Sequence, residues 1–156
     1  MNKRSISIAL CIGILLSLLT IPASAGELSN FQKVQSYTGQ FADVPSTAWY
    51  GESVQTAYEM GLLNGKSAGR FDPASNLTLA EAAKLAACLN KIYETGKQDF
   101  ASDPVWYLPY VEYLSEQGLM SISVADWSAK ATRAQFAALL AASLPQEALV
   151  PINDIS

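Results

Sequence analysis

The 156-residue chain is half hydrophobic, enough to build a core in one domain or a short repeat array. It contains no His, which removes the commonest general base and the commonest metal ligand. Its formal charge of −4 argues against nucleic acid as the main partner.

The chain opens on an address label. Lys3 and Arg4 precede an apolar run from Ile6 to Leu19, and Ile21-Pro22-Ala23-Ser24-Ala25 supplies small residues at the A-x-A positions. Residues 1–25 therefore read as a secretory signal peptide cut after Ala25, too short to be a spanning helix. The exported chain is then more acidic, is not membrane-spanning, and loses Cys11. Cys88 remains as a lone thiol among Leu85, Leu89 and Ile92, expected to be a small buried side chain. An exported chain without disulfides favours a Gram-positive type of envelope.

Residues 26–40 form a polar lead-in carrying Leu28, Phe31, Val34 and Tyr37. At Phe41-Ala42-Asp43-Val44-Pro45 the chain turns extended, because Pro45 disfavours helical backbone at Val44. Ser46 or Thr47 is expected to cap a helix running to about Met60, with Tyr50, Val54 and Ala57 inward. Gly61 stops it, Leu62 and Leu63 are expected to be buried, and Asn64-Gly65 turns the chain. A loop holding Lys66 and Arg70 follows, pinned by the ring of Phe71.

Thr78-Leu79-Ala80-Glu81 then opens a second helix. A hydroxyl residue followed three positions later by Glu is the capping-box pattern. The helix is expected to reach about Tyr93, with Ala82, Leu85, Ala86, Leu89 and Ile92 on its apolar face.

The same order then recurs. Trp106-Tyr107 follows Trp49-Tyr50 by 57 residues, and Gly118-Leu119 follows Gly61-Leu62 at the same interval. Tyr107, Val111 and Leu114 repeat the first helix, and Trp127 stands where Phe71 stood. Thr132-Arg133-Ala134-Gln135 repeats the capping box 54 residues after Thr78, opening a helix with Phe136, Leu139 and Leu140 inward. Ile152-Asn153-Asp154-Ile155 resembles Phe41-Ala42-Asp43-Val44, the start of a third unit. A period of about 55 residues indicates units that bury their faces against one another. The expected division is 1–25 signal peptide, 26–40 lead-in, 41–97 first repeat, 98–148 second repeat and 149–156 the opening of a truncated third. One chemical feature stands out. Arg133 sits at a helix N-terminus, where a guanidinium beside amide groups can hold a carboxylate or phosphate.

These landmarks resemble the S-layer homology (SLH) domain family. Its pattern is F-x-D-V, then W-Y, a helix, G-L-x-x-G, G-x-F-x-P, and T-R-A-E opening a second helix. The first repeat matches it at Phe41, Asp43, Val44, Trp49, Tyr50, Ala57, Gly61, Leu62, Gly65, Gly69, Phe71, Pro73, Thr78, Ala80 and Glu81. The second matches at Trp106, Tyr107, Gly118, Leu119, Thr132, Arg133 and Ala134. The resemblance implies an all-α fold of tandem helix-loop-helix repeats, here part of a pseudo-threefold helical prism. It also implies an envelope-associated module without cofactor or catalysis, binding pyruvylated secondary cell-wall polysaccharide non-covalently.

The Arg of T-R-A-E is central to that binding, since a pyruvate ketal presents a carboxylate to the guanidinium. Leu79 replaces it in the first repeat, and Gln135 replaces the Glu in the second. The implied ligand residues are Arg133, Thr132, Gln135, Thr78 and Glu81, with Arg70 and Lys66 secondary. Trp49 and Trp106 are expected to be core or half-buried packing residues. The alternative is a degenerate structural or protein-interaction module that self-associates without binding glycan. An enzyme is not expected: Asp43, Asp72, Glu81, Asp103 and Glu112 form no recognisable nucleophile or metal motif.

Overall fold

Helices form where the chain offers a stop glycine, a cap or an apolar stripe. The computed structural model describes residues 27–148; the signal peptide and the third-repeat opening lie outside the described residues. Four helices make an all-α fold: α1 (Gly51–Glu59), α2 (Leu79–Thr95), α3 (Leu108–Glu116) and α4 (Arg133–Ser143). Short 3-10 turns lie at Leu28–Asn30 and Gln146–Ala148.

The first and third helices have the same length and the same stop. Gly61 and Gly118 take positive φ of 76° and 68°. In each, the next amide reaches back to the helix: Leu62 to the Ala57 carbonyl and Leu119 to the Leu114 carbonyl, both at 2.8 Å. Leu62 and Leu63 are half-buried rather than buried, and the start of α1 departs from expectation. Ser46 and Thr47 do not cap it. Two successive turns, Ala48 N–H to Pro45 O and Gly51 N–H to Ala48 O, carry the chain onward, and Tyr50 takes the cap position without a side-chain bond. The turn that Pro45 begins is tighter than a cap requires, so the helix begins later.

The two capping boxes are both closed. Thr78 Oγ1 accepts from the Glu81 amide at 3.2 Å, and the Glu81 carboxylate accepts from the Thr78 amide at 2.8 Å. Thr132 and Gln135 repeat this at 3.2 and 3.0 Å, so Gln135 replaces the carboxylate without loss of geometry.

Helix α2 is the axis of the molecule and packs against both α3 and α4. Its buried positions include Leu79, Ala82, Ala83, Ala86, Ala87 and Asn90, while Leu85 and Leu89 are only half-buried. The small alanine side chains let the neighbouring helices approach closely. Leu114 of α3 and Leu139 of α4 are fully buried against them, each contributing about 2 kcal/mol. Asn90 ties the three helices together. Its Nδ2 donates to the Ser143 carbonyl at 3.0 Å, and its Oδ1 accepts from the Tyr113 hydroxyl at 2.6 Å.

A second, smaller core joins α1 to the extended segment before it: Phe41, Val44 and Val54, with Tyr37, Tyr58 and Phe71 packed around them. Phe71 therefore does pin its loop. Asp43 completes the join, accepting from the amides of Phe71 at 2.9 Å and Asp72 at 2.7 Å.

The lead-in is attached more firmly than its polarity indicates. The Val34 amide donates to the Glu59 carbonyl at the end of α1, and the Glu27 amide and Asn30 Nδ2 donate to the Tyr93 carbonyl near the end of α2. These bonds satisfy carbonyls that a helix end leaves without intrahelical partners.

Candidate functional site

The two helix starts share a design but not a setting. At α2 the first free amides are already used. Leu79 N–H donates to the Ala129 carbonyl at 2.9 Å and Ala80 N–H to the Trp127 carbonyl at 3.0 Å. In return Ala131 N–H donates to the Leu77 carbonyl at 2.8 Å, making a one-residue antiparallel bridge between Thr78 and Lys130. The loop before α4 thus covers the start of α2. Leu79 is buried beneath it at 5% exposure. A backbone anion site is closed there, and Thr78 uses its amide and hydroxyl inside the capping box.

At α4 the setting is open. Arg133 is exposed, and among the described residues it forms no ion pair. Thr132 and Gln135 flank it, engaged with each other. Arg70 lies apart, with its guanidinium 3.9 Å from Asp43 and 3.7 Å from Asp72. The structure brings Arg133, Thr132 and Gln135 together, and separately Thr78 with Glu81; Arg70 belongs to neither group.

A cleft of about 340 Å³ opens at the seam between the two helical units. The loop from Leu62 to Lys66, the segment from Phe71 to Leu77, the first turns of α2 and Trp106 line it. Its charges sort into pairs with one remainder. Lys66 bonds the Glu81 carboxylate, and Asp72 faces Arg70. Partial burial pushes the Glu81 carboxyl up, but the Lys66 ammonium and the Thr78 donors outweigh it and hold the group below its ordinary range. Lys84 is the remainder. Its ammonium lies 5.6 Å from the Tyr110 ring centroid and, among the described residues, in no ion pair.

The expectation of core or half-buried tryptophans fails at Trp49 and holds at the half-buried end for Trp106. Trp49 is 92% exposed and Trp106 50%. Each stands edge-on to the next residue, Trp49 to Tyr50 at 5.5 Å and 87°, and Trp106 to Tyr107 at 5.7 Å and 89°. The Tyr takes the inward place in each pair, and the indole is left outside. Lys84 is the cleft residue that motif reading passed over, whereas Trp106 is a motif landmark expected to pack rather than to line a cleft. Lys84 carries no motif signal. It is marked only by lying one turn beyond Glu81 on the same helix face.

The carboxylates hold turns and caps. The Phe71 amide is the largest influence lowering the Asp43 pKa, and Asp103 accepts from the Val105 amide at 2.7 Å. Among the described residues no group of three or more His, Cys, Asp or Glu could hold a metal ion. No helix there is long and apolar enough to cross a membrane.

The comparisons with known proteins fit this picture. The S-layer homology domain model matches residues 40–83. The S-layer protein sap of Bacillus anthracis is 36% identical over 83 residues, covering 51% of this chain and 10% of that protein. An S-layer protein of Bacillus thuringiensis subsp. finitimus gives the same figures. The surface-layer 125 kDa protein of Lysinibacillus sphaericus is 27% identical over 124 residues, covering 73% of this chain and 10% of that protein. The chain thus spans about a tenth of the length of these relatives. No solved structure matches it significantly. An S-layer homology domain occupies residues 40–83 and includes the Asp43 loop and the capped start of α2.

Proposed function

We propose that the S-layer homology domain at residues 40–83 and the helical unit after it form two tandem repeats that bind an anionic cell-wall glycan, of the pyruvylated secondary polysaccharide class. The protein is secreted to a Gram-positive cell wall or surface. The observation that carries the reading is the seam cleft. A half-exposed indole, Trp106, flanks it and offers an apolar face to a sugar ring. Lys84, the one cleft cation without an acidic partner among the described residues, lines the same cleft and meets the ketal carboxylate.

Arg133 offers a second grip at the start of α4, where its guanidinium can take a carboxylate in bidentate fashion. Thr132 and Gln135 fix the turn that presents it. Thr78 and Glu81 do the same for the first start, with Leu79 in the cation's place. Arg70 acts through the loop it shares with Asp43 and Asp72.

Retention on purified cell wall, with and without its pyruvyl groups, tests this. Intact wall should retain the protein, and depyruvylated wall should not. Lys84→Ala with Trp106→Ala should weaken retention about tenfold or more, the loss of roughly 1.4 kcal/mol or greater. Equal retention on both walls, or a double variant that binds like the parent, would remove the proposal.

A further inference from the structure

The rim of the seam cleft carries a residue pair that glycan binding leaves unused. Asn64 and Gly65 line the cleft beside Lys66. Both are exposed, on backbone that belongs to no helix or bridge. The fold dictates the glycine. A Cβ at Gly65 would stand 2.6 Å from the Phe41 ring and 2.7 Å from the Arg70 carbonyl, and φ is +77°. The amide nitrogen that follows Asn64 therefore has no side chain to screen it. Among the described residues that amide donates to no backbone carbonyl.

The other asparagines among the described residues lack one part of this arrangement. Asn90 is buried, and both ends of its side-chain amide are bonded. Asn30 donates to the Tyr93 carbonyl. Asn76 is exposed and lines the same cleft, but Leu77 follows it, and a branched side chain hinders approach of the next amide.

We propose that Asn64 is a site of spontaneous deamidation that places a carboxylate in the seam cleft. The Gly65 nitrogen loses its proton and attacks Asn64 Cγ. The N–Cγ bond forms, the Cγ–Nδ2 bond breaks, and ammonia leaves with the proton. Water then opens the cyclic imide. Breaking the new N–Cγ bond gives aspartate, and breaking the original peptide bond gives isoaspartate. The sum is one water consumed and one ammonia released, with no oxidant or reductant. The product acid is ionised at neutral pH.

Its effect follows from the cleft's charges. Lys66 is held by Glu81 and Asp72 faces Arg70, which leaves Lys84 as the unpaired cation. A further carboxylate offsets Lys84 and repels an anionic ligand. This effect rests on the glycan reading above; the chemistry at Asn64 does not. The reaction runs one way, so the hold on the wall declines with the age of the molecule.

The folded protein, kept for days in warm buffer at a series of pH values, tests this by peptide mapping in a mass spectrometer. Asn64 should convert, faster at higher pH because the Gly65 amide must lose its proton, while Asn76 stays an amide. Asn64→Gln should resist conversion, since its ring would be larger and slower to close, and should keep the parent's retention on cell wall. Asn64→Asp should be retained about fivefold more weakly, the effect of one partly screened charge in an open cleft. Asn64 persisting as the amide, or Asn76 converting as fast, would overturn the site. Asn64→Asp retained as tightly as the parent would overturn the effect on binding. A parent that the wall does not retain is a failure of the glycan reading instead, and the mass at Asn64 tells the two apart.

Discussion

Replacing Asn90 with Ala tests whether α2 is the axis that both α3 and α4 depend on. Asn90 is 7% exposed and makes one bond to each of those helices. The substitution leaves the Ser143 carbonyl and the partly buried Tyr113 hydroxyl without their partner. A buried unsatisfied group costs about 1–3 kcal/mol, so a loss of roughly 2–4 kcal/mol is expected. Burial pushes the Tyr113 phenol pKa up, with the Glu94 charge adding to it, so the hydroxyl stays protonated as the donor. Tyr113→Phe removes only one bond and should cost about 1–2 kcal/mol. Because the two residues share that bond, the double variant should fall short of the sum by about 1 kcal/mol. Urea unfolding measures each value, with the midpoint shifting and the slope unchanged. An Asn90→Ala variant within about 0.5 kcal/mol of the parent would refute the reasoning, since surface substitutions already give that much.

Three further outcomes follow from local geometry. Burial raises the Cys88 thiol pKa to about 11, so a thiol reagent at pH 8 should leave the native protein unlabelled and react once urea unfolds it. Gly65→Ala places a Cβ 2.6 Å from the Phe41 ring and 2.7 Å from the Arg70 carbonyl, at a φ of +77°. It should cost about 3 kcal/mol in thermal melts, against about 1 kcal/mol for Gly39→Ala, where φ is also positive but space is open. The folded pKa values of Asp43 and Glu59 are lowered, by the Phe71 amide and by the Lys33 ammonium as their main causes. Their stabilisation is full above the ordinary carboxylate pKa of about 4 and is lost as pH falls through the lowered folded values. Melting temperature should hold from pH 7 to pH 5 and drop below about pH 4, and Asp43→Asn should blunt the drop.

What the sequence made legible was local. The capping boxes at Thr78 and Thr132, the glycine stops at Gly61 and Gly118, and the equal helices between are set within a few residues of one another. The burial of Cys88 also follows from near neighbours, whereas Phe71 pins its loop through Phe41 and the Asp43 carboxylate, far back in the chain. What escaped was set across the chain. The Trp-Tyr pairs look apolar at both positions, and only packing decides that Tyr50 and Tyr107 turn inward while the indoles stay outside. The lead-in reads as polar because it bonds to helix-end carbonyls through its backbone and through Asn30. Lys84 looks like any lysine on an alanine-rich helix until Lys66 takes Glu81 and Arg70 takes Asp72. The start of α2 is covered by backbone from residues 127–131, which no side-chain pattern announces.

That cover explains how the two helix starts differ in setting despite one shared motif. Leu79 suits a position roofed by the Trp127–Ala131 loop, where a guanidinium would have to leave its bonds with water or reach past the loop. Arg133 suits a position with no such roof among the described residues. On the proposed reading the seam therefore draws its cation from Lys84, one turn further along, and its ring from Trp106, while the start of α4 keeps Arg133.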